Sequence, residues 1–196
     1  MDMQVFAALS LFAFVSSITP GPNNLMLLAS GVNHGFRATL PHMAGISTGF
    51  FILLASVGLG LGLLFAQVPQ LYLVLKWLGA AYLLTLAWGV ATAGAPKDAE
   101  ATHPLGFWGA AGFQWVNPKA WVMAVGAFSS YVPAHSGSEV VVGAAAWFAF
   151  IGIPAISLWA LCGSRLRHWL RIPRYRRIFN GVMAVLLVAS LAPMLA

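Results

Sequence analysis

Apolar residues fill six stretches of this chain, separated by short polar punctuation: 4–30, 41–65, 71–93, 105–132, 140–163 and 179–195. An α-helix needs roughly 20 apolar residues to cross the hydrocarbon core of a bilayer. Each stretch therefore predicts a membrane-spanning helix. Pro69 separates the second from the third, and a polar linker over 94–103 holds Pro96, Lys97, Asp98 and Glu100. Pro133, His135, Ser136, Gly137 and Glu139 predict a turn before the fifth. The first stretch has no Lys or Arg ahead of it and no clean small-residue cleavage site. It is expected to be a retained helix and not a removed signal peptide.

The expected fold class is an all-α membrane protein with six transmembrane helices in one domain, 1–196. Three stretches fall in about 1–95 and three in about 104–196. Pro20 is echoed by Pro118, 98 positions later, and Gly45 by Gly143 at the same offset. The run 78–84 is echoed, at a slightly larger offset, by 180–186. An odd number of crossings per half forces the halves into opposite orientation. That predicts two inverted three-helix repeats, an architecture of secondary transporters.

Composition supports the bilayer as solvent. The chain is 60% hydrophobic and 7% charged, with a mean hydropathy of +0.85, whereas soluble domains are about a quarter charged. The net charge of +6 does not point to nucleic acid, because six of the ten Lys and Arg residues cluster between Arg165 and Arg177. With Arg37 and Lys97, these lie in the odd-numbered loops, while the even-numbered loops and the termini hold none. The positive-inside rule then puts both termini outside, on the periplasmic side of a bacterial membrane. Leu166, Trp169 and Leu170 share one face among the arginines, predicting a short interfacial helix on anionic lipid; the plainer alternative is a topology anchor. Trp77, Trp108 and Trp169 fit an aromatic belt. Gly45 and Gly49, with Gly58, Gly60 and Gly62, predict close helix packing, within the chain or in a homodimer. Cys162 has no intramolecular partner and reads as packing.

The candidate chemistry lies where proline interrupts two spans. In the first, Thr19, Pro20, Gly21, Pro22, Asn23 and Asn24 should unwind the helix, since proline lacks an N–H and clashes with the preceding turn. Unpaired backbone in hydrocarbon costs several kcal/mol per group, so the break should face protein or a water-filled cavity. The helix start after Pro22 carries partial positive charge and suits a carboxylate. The fourth span has a matching break at Asn117, Pro118 and Lys119, with Gln114 one turn earlier. Lys119 is near mid-span, where a charge costs about 2.5–3.5 kcal/mol on insertion scales. Paired interruptions in corresponding spans point to a transporter's substrate site. The bland alternative is two kinks and a snorkelling lysine.

The run from Thr19 to Asn24, followed by His34-Gly35-Phe36-Arg37, resembles the opening of the LysE/RhtB family of amino-acid exporters. Val116-Asn117-Pro118-Lys119 resembles that family's second motif. The asparagine pair and the His-Gly-Phe-Arg run are most similar to the branch exporting cysteine and O-acetylserine. The resemblance implies efflux of amino acids from the bacterial cytoplasm across the inner membrane, driven by protons.

No Asp or Glu lies within the six stretches: Asp2, Asp98, Glu100 and Glu139 fall at ends or in loops. A carboxylate proton relay is therefore not visible. His42 is a candidate for titration near neutral pH, with a packing histidine as the commoner alternative, and coupling through Lys119 is a third. His34 and Arg37 are expected to stabilise the inner turn, and Tyr82 and Trp115 are weaker cavity candidates. A cationic substrate would call for acid at the site, so a small neutral amino acid is expected. Two other classes compete. An intramembrane enzyme would need Lys119 paired with Ser16, Ser17 or Ser129, and the chain lacks a nucleophile elbow, metal-ligand spacing or phosphate loop. No cofactor or metal is expected. A non-transporting subunit of a larger complex would have little need for paired breaks.

Overall fold

The computed structural model describes residues 2–61, 69–92, 104–133, 136–170 and 172–191, and every regular element among them is helical. The helices are α1 (Met3–Ile18), α2 (Pro22–His34), α3 (Phe36–Ser56, continuing through a π-helical turn at Val57–Leu61), α4 (Pro69–Thr92), α5 (Phe107–Val116), α6 (Pro118–Tyr131), α7 (Ser138–Trp169) and α8 (Pro173–Ala189). Proline opens α2, α6 and α8, where its missing N–H costs nothing and its fixed φ suits a first helical position.

α3 extended to Leu61 has 26 residues and α7 has 32, and both are long and apolar enough to cross a membrane. α1 and α2 pass the same test only when taken together, as a pair bent by 54° at the break between them. Large apolar side chains such as Trp88, Val122, Phe150 and Val185 stand exposed on the outside, a surface that lipid can solvate and water cannot. The chain is a multi-pass membrane protein.

α3 and α7 form the centre. Leu9 and Ala13 of α1, Phe50, Leu53 and Leu54 of α3, Ala120 and Ala124 of α6 and Phe148 of α7 share one buried cluster. Within it Phe148 meets Phe50 edge-on at 5.5 Å and Phe12 at 5.9 Å. α4 and α8 pack as a flanking pair, joining Ala80, Leu83 and Ala87 to Met183 and Leu187.

Two glycine contacts set the spacing of this centre. Gly45 and Gly49 of α3 lie against the backbone of Phe107 and Ala111, so the small pair serves packing within the chain. The second contact has no partner spacing in the sequence to reveal it. Gly31 of α2 and Gly163 of α7 face each other, and a Cβ on Gly31 would strike Ala160 O while one on Gly163 would strike Leu28 O. α2 turns directly into α3 at Gly35, whose φ of 89° admits glycine at little cost. Thr39 Oγ1 donates to Gly35 O at 2.9 Å and lies 2.8 Å from Ser30 Oγ, which closes the turn. Arg167 Nη1, from the end of α7, lies 3.5 Å from His34 O; Arg37 is exposed.

Several expectations change. The arginine-rich segment is not a separate interfacial helix: α7 runs unbroken to Trp169, so Arg165 and Arg167 belong to its last turns and Arg174, Arg176 and Arg177 to the start of α8. Arg176 is buried, 7% exposed, on the inward face of α8. Gly143 faces open space while its echo Gly45 is tightly packed, so that match carries no shared packing role. The prolines that open α2 and α6 are Pro22 and Pro118, 96 positions apart. Tyr82 stacks at 5.4 Å on Phe113 and reaches Gly109 O at 3.5 Å, as a packing residue. The linker 94–103 and His135 lie outside the described residues. Trp77, Trp108 and Trp169 are all exposed, as an aromatic belt requires.

Gly31→Ala and Gly163→Ala should each destabilise the fold by about 1–3 kcal/mol, the usual cost of overpacking, while Gly143→Ala should be near neutral. Thermal melts of the purified proteins in detergent, followed by tryptophan fluorescence, will separate them; equal melts for all three would refute the backbone contact.

Candidate functional site

The site begins with a backbone accounting problem. Pro20 and Pro22 have no N–H, so the carbonyls of Ser16 and Ile18 lose their helical partners, and the extended chain at Gly21 (φ −176°, ψ 175°) removes that of Ser17. Each carbonyl from Val15 to Pro20 nonetheless has a donor. Thr19 N reaches Val15 O at 3.2 Å, and Thr19 Oγ1 donates to Ser16 O at 2.8 Å. Asn24 Nδ2 donates to both Ser17 O and Thr19 O at 2.8 Å. Trp159 Nε1, from α7, donates to Ile18 O at 3.0 Å. Lys119 Nζ takes the rest, donating to Thr19 O at 2.6 Å, Thr19 Oγ1 at 2.9 Å and Pro20 O at 3.3 Å.

The second break is solved with fewer groups. Pro118 deprives Gln114 O, which receives Asn117 N at 3.4 Å instead. Trp121 Nε1 donates to Trp115 O at 2.8 Å. An indole N–H thus caps a released carbonyl at each break. Asn117, 2% exposed, accepts Lys119 N on its side-chain oxygen at 3.2 Å, so the start of α6 is capped by its own sequence. The start of α2 is not. Its first amides, at Asn23 and Asn24, have no intrahelical partner, and Gly21 has no side chain to offer them.

The two breaks meet. Asn23 Nδ2 donates to Gln114 Oε1 at 2.8 Å and Gln114 Nε2 returns to Asn23 Oδ1 at 3.2 Å, a reciprocal amide pair joining α2 to α5. Gln114 Nε2 is also held by Ala110 O at 2.9 Å. Gly21 is needed for room rather than conformation: a Cβ there would lie 2.7 Å from Lys119 Cδ. Gly21, Asn23, Asn24, Gln114, Asn117 and Lys119 all line one cavity at the bundle centre. Thr19 and Pro20 hold the lysine, and Pro22 and Pro118 start the two helices. All ten residues singled out in the sequence therefore fall in one constellation.

Sequence inspection missed much of the cavity's other wall. Ser16, Ser17 and Ser47 add hydroxyls, and Phe50, Met123 and Ile156 add an apolar side. The serine pair beside the first break was a usable signal; Trp159 gave none. Among the described residues the cavity wall contains Lys119 and no carboxylate, and it also meets the positive end of α2. It is an electropositive pocket with small polar and apolar walls. Lys119 bonds Thr19 and Pro20 rather than a serine, and Ser129 Oγ turns back to Gly126 O at 3.5 Å. Among the described residues no group of three or more His, Cys, Asp or Glu side chains could hold a metal.

Comparison with known proteins identifies the family. Residues 14–192 match the LysE type translocator family. The chain is 36% identical over 190 residues to a cysteine/O-acetylserine efflux protein of Escherichia coli O6:K15:H31, covering 96% of each. It is 34% identical over 190 residues to a cysteine/O-acetylserine efflux protein of Salmonella typhimurium, again covering 96% of each. No solved structure matches the chain. The family and the efflux relatives indicate a transporter and not an enzyme. With nearly its whole length matched, the chain belongs to the LysE family of translocators.

Proposed function

We propose that this protein exports small neutral amino acids of the cysteine and O-acetylserine kind from the bacterial cytoplasm, as a secondary transporter driven by protons. The observation that carries the site is the Lys119 ammonium between the two breaks, beside the uncapped start of α2. A substrate carboxylate meets the amides of Asn23 and Asn24 and takes one Lys119 N–H from Thr19 O, which keeps its Asn24 donor, a charge-assisted arrangement. The released carbonyls already have donors, so the substrate ammonium is better served by the hydroxyls of Ser16, Ser17 and Ser47. The apolar wall of Phe50, Met123 and Ile156 takes the short side chain. A substrate with a second positive charge would meet Lys119 with no acid to offset it.

The proposed architecture is six spans in two inverted halves, α1–α4 and α5–α8. Exchanging the halves carries α3 against α5 onto α7 against α1, and α2 against α7 onto α6 against α3; all four pairs are in contact. The α3–α7 and α4–α8 pairs map onto themselves. The echoed runs 78–84 and 180–186 lie on α4 and α8, where Ala80 and Leu83 share a buried cluster with Met183 and Leu187. Such an arrangement supports a pseudo-two-fold axis passing between these pairs. The positive-inside rule puts the arginine-bearing ends of α7 and α8 in the cytoplasm and both termini in the periplasm. The exposed Arg165, Arg167, Arg174 and Arg177 are then placed to meet anionic headgroups.

In proteoliposomes, Lys119→Met should weaken apparent affinity for O-acetylserine about 10–100-fold, matching the 1.5–3 kcal/mol of a hydrogen bond to a charged group. Unchanged affinity would remove the lysine from the site. Gly21→Ala displaces the lysine side chain and leaves Pro20 O without its donor, so transport should fall about tenfold or more while stability falls only by about 1–3 kcal/mol, the cost of one unpaired carbonyl. A larger loss of stability would argue for a structural role alone. Overexpression in bacteria should raise tolerance to toxic levels of cysteine, read as growth across a concentration series; no protected amino acid would count against export.

A further inference from the structure

Outside the substrate cavity, one buried polar side chain among the described residues stands unpaired. His42 on α3 is 1% exposed, and neither ring nitrogen has a hydrogen-bond partner among the described residues. A neutral imidazole carries one donor and one acceptor, and leaving a buried polar group unpaired costs about 1–3 kcal/mol. The ring borders a second cavity, whose polar wall is Ser30, Asn33, His34 and Thr85. Pro41 precedes it inside α3 and leaves Arg37 O without its helical donor, a local weak point in the helix.

The two cavities stand in tandem along the same helices. On α3, Ser47 borders the substrate cavity and His42 the second, about 7.5 Å apart along the axis. On α2, Asn23 and Asn24 border the first, and Met26, Ser30 and Asn33 the second. The second cavity lies toward the end where Arg167 meets His34 O. The ionisable groups around it are few. α2 contributes His34. The α4 lining is Thr85, Leu86, Gly89 and Val90, and Pro104 and Leu105 precede α5, with no ionisable side chain among them. α5 itself has none, and Lys119 of α6 lies in the other cavity. On α7, Arg165 and Arg167 are exposed at the helix end. On α8, Arg176 is buried one turn before Asn180, whose Oδ1 lies 3.4 Å from Asn33 Nδ2. Among the described residues no carboxylate borders this cavity.

We propose that His42 is the proton-binding group of the transport cycle, a site distinct from the substrate cavity and coupled to it through α2 and α3. The free ring nitrogen takes one proton from the external side to give imidazolium. It returns that proton to cytoplasmic water as the ring becomes neutral again, while one substrate molecule moves outward. The ring is sealed in this conformation, so proton exchange waits on a relative movement of α2, α3 and α4, and a sealed carrier does not leak protons between substrate movements. The inference rests on the exporter reading above.

The test uses the full chain in proteoliposomes with labelled O-acetylserine, comparing exchange without a gradient against accumulation driven by a pH gradient. Wild type should do both. His42→Gln should keep exchange within about twofold of wild type and lose gradient-driven accumulation. His34→Gln should keep both. Full gradient-driven accumulation in His42→Gln or His42→Asn overturns the assignment, as does loss of both modes in the two variants. A wild type that exchanges substrate but gains nothing from the gradient overturns it too. A wild type that exchanges no substrate at all refutes the exporter reading, and this inference with it.

Discussion

The structure depends on one constraint: backbone carbonyls released inside a membrane must find donors without help from bulk water. Pro20 and Pro22 release them in the first span, and the donors come from four different places in the chain. Asn24 and Thr19 are local, whereas Trp159 and Lys119 arrive from distant helices. The break therefore holds the bundle together as well as opening it. A lysine that would be costly alone in hydrocarbon becomes affordable because its three protons go to Thr19 and Pro20.

The two breaks look alike in sequence and differ in chemistry. Asn117 caps its own helix and leaves nothing for a ligand to add. Gly21 caps nothing, and it gives up a side chain so that Lys119 can lie beside it. The pair of breaks is thus asymmetric, with the electropositive side at the start of α2. On the proposed reading such economy suits a pocket that must release its cargo: one lysine and one helix end offer a carboxylate enough to select it, without the multiple charges that would trap it.

Much of this was legible in the sequence, for identifiable reasons. Proline acts on its own helix, so the positions of both breaks could be read from residue type alone, and an isolated lysine among apolar residues announces a polar environment. The end of α7 could not be read the same way. Hydropathy falls after Gly163, yet Ser-Arg-Leu-Arg-His-Trp holds no proline or glycine and continues the helix past the apolar stretch. The roles of Trp121 and Trp159 were hidden because a tryptophan in an apolar run looks the same whether it faces lipid or caps a carbonyl. His42 was visible as a titratable residue, but its unpaired nitrogens depend on neighbours that only the fold supplies.

The contact between Gly31 and Gly163 has a mechanical consequence. Backbones that touch cannot slide by a turn without first separating, so α2 and α7 must travel as one rigid body. Their nearest relief is the extended chain at Pro20 and Gly21, which links that body to α1. On the proposed exporter reading the joint that takes the cargo is also the pivot about which the protein opens, so a ligand drawn into it stiffens the hinge that has to bend.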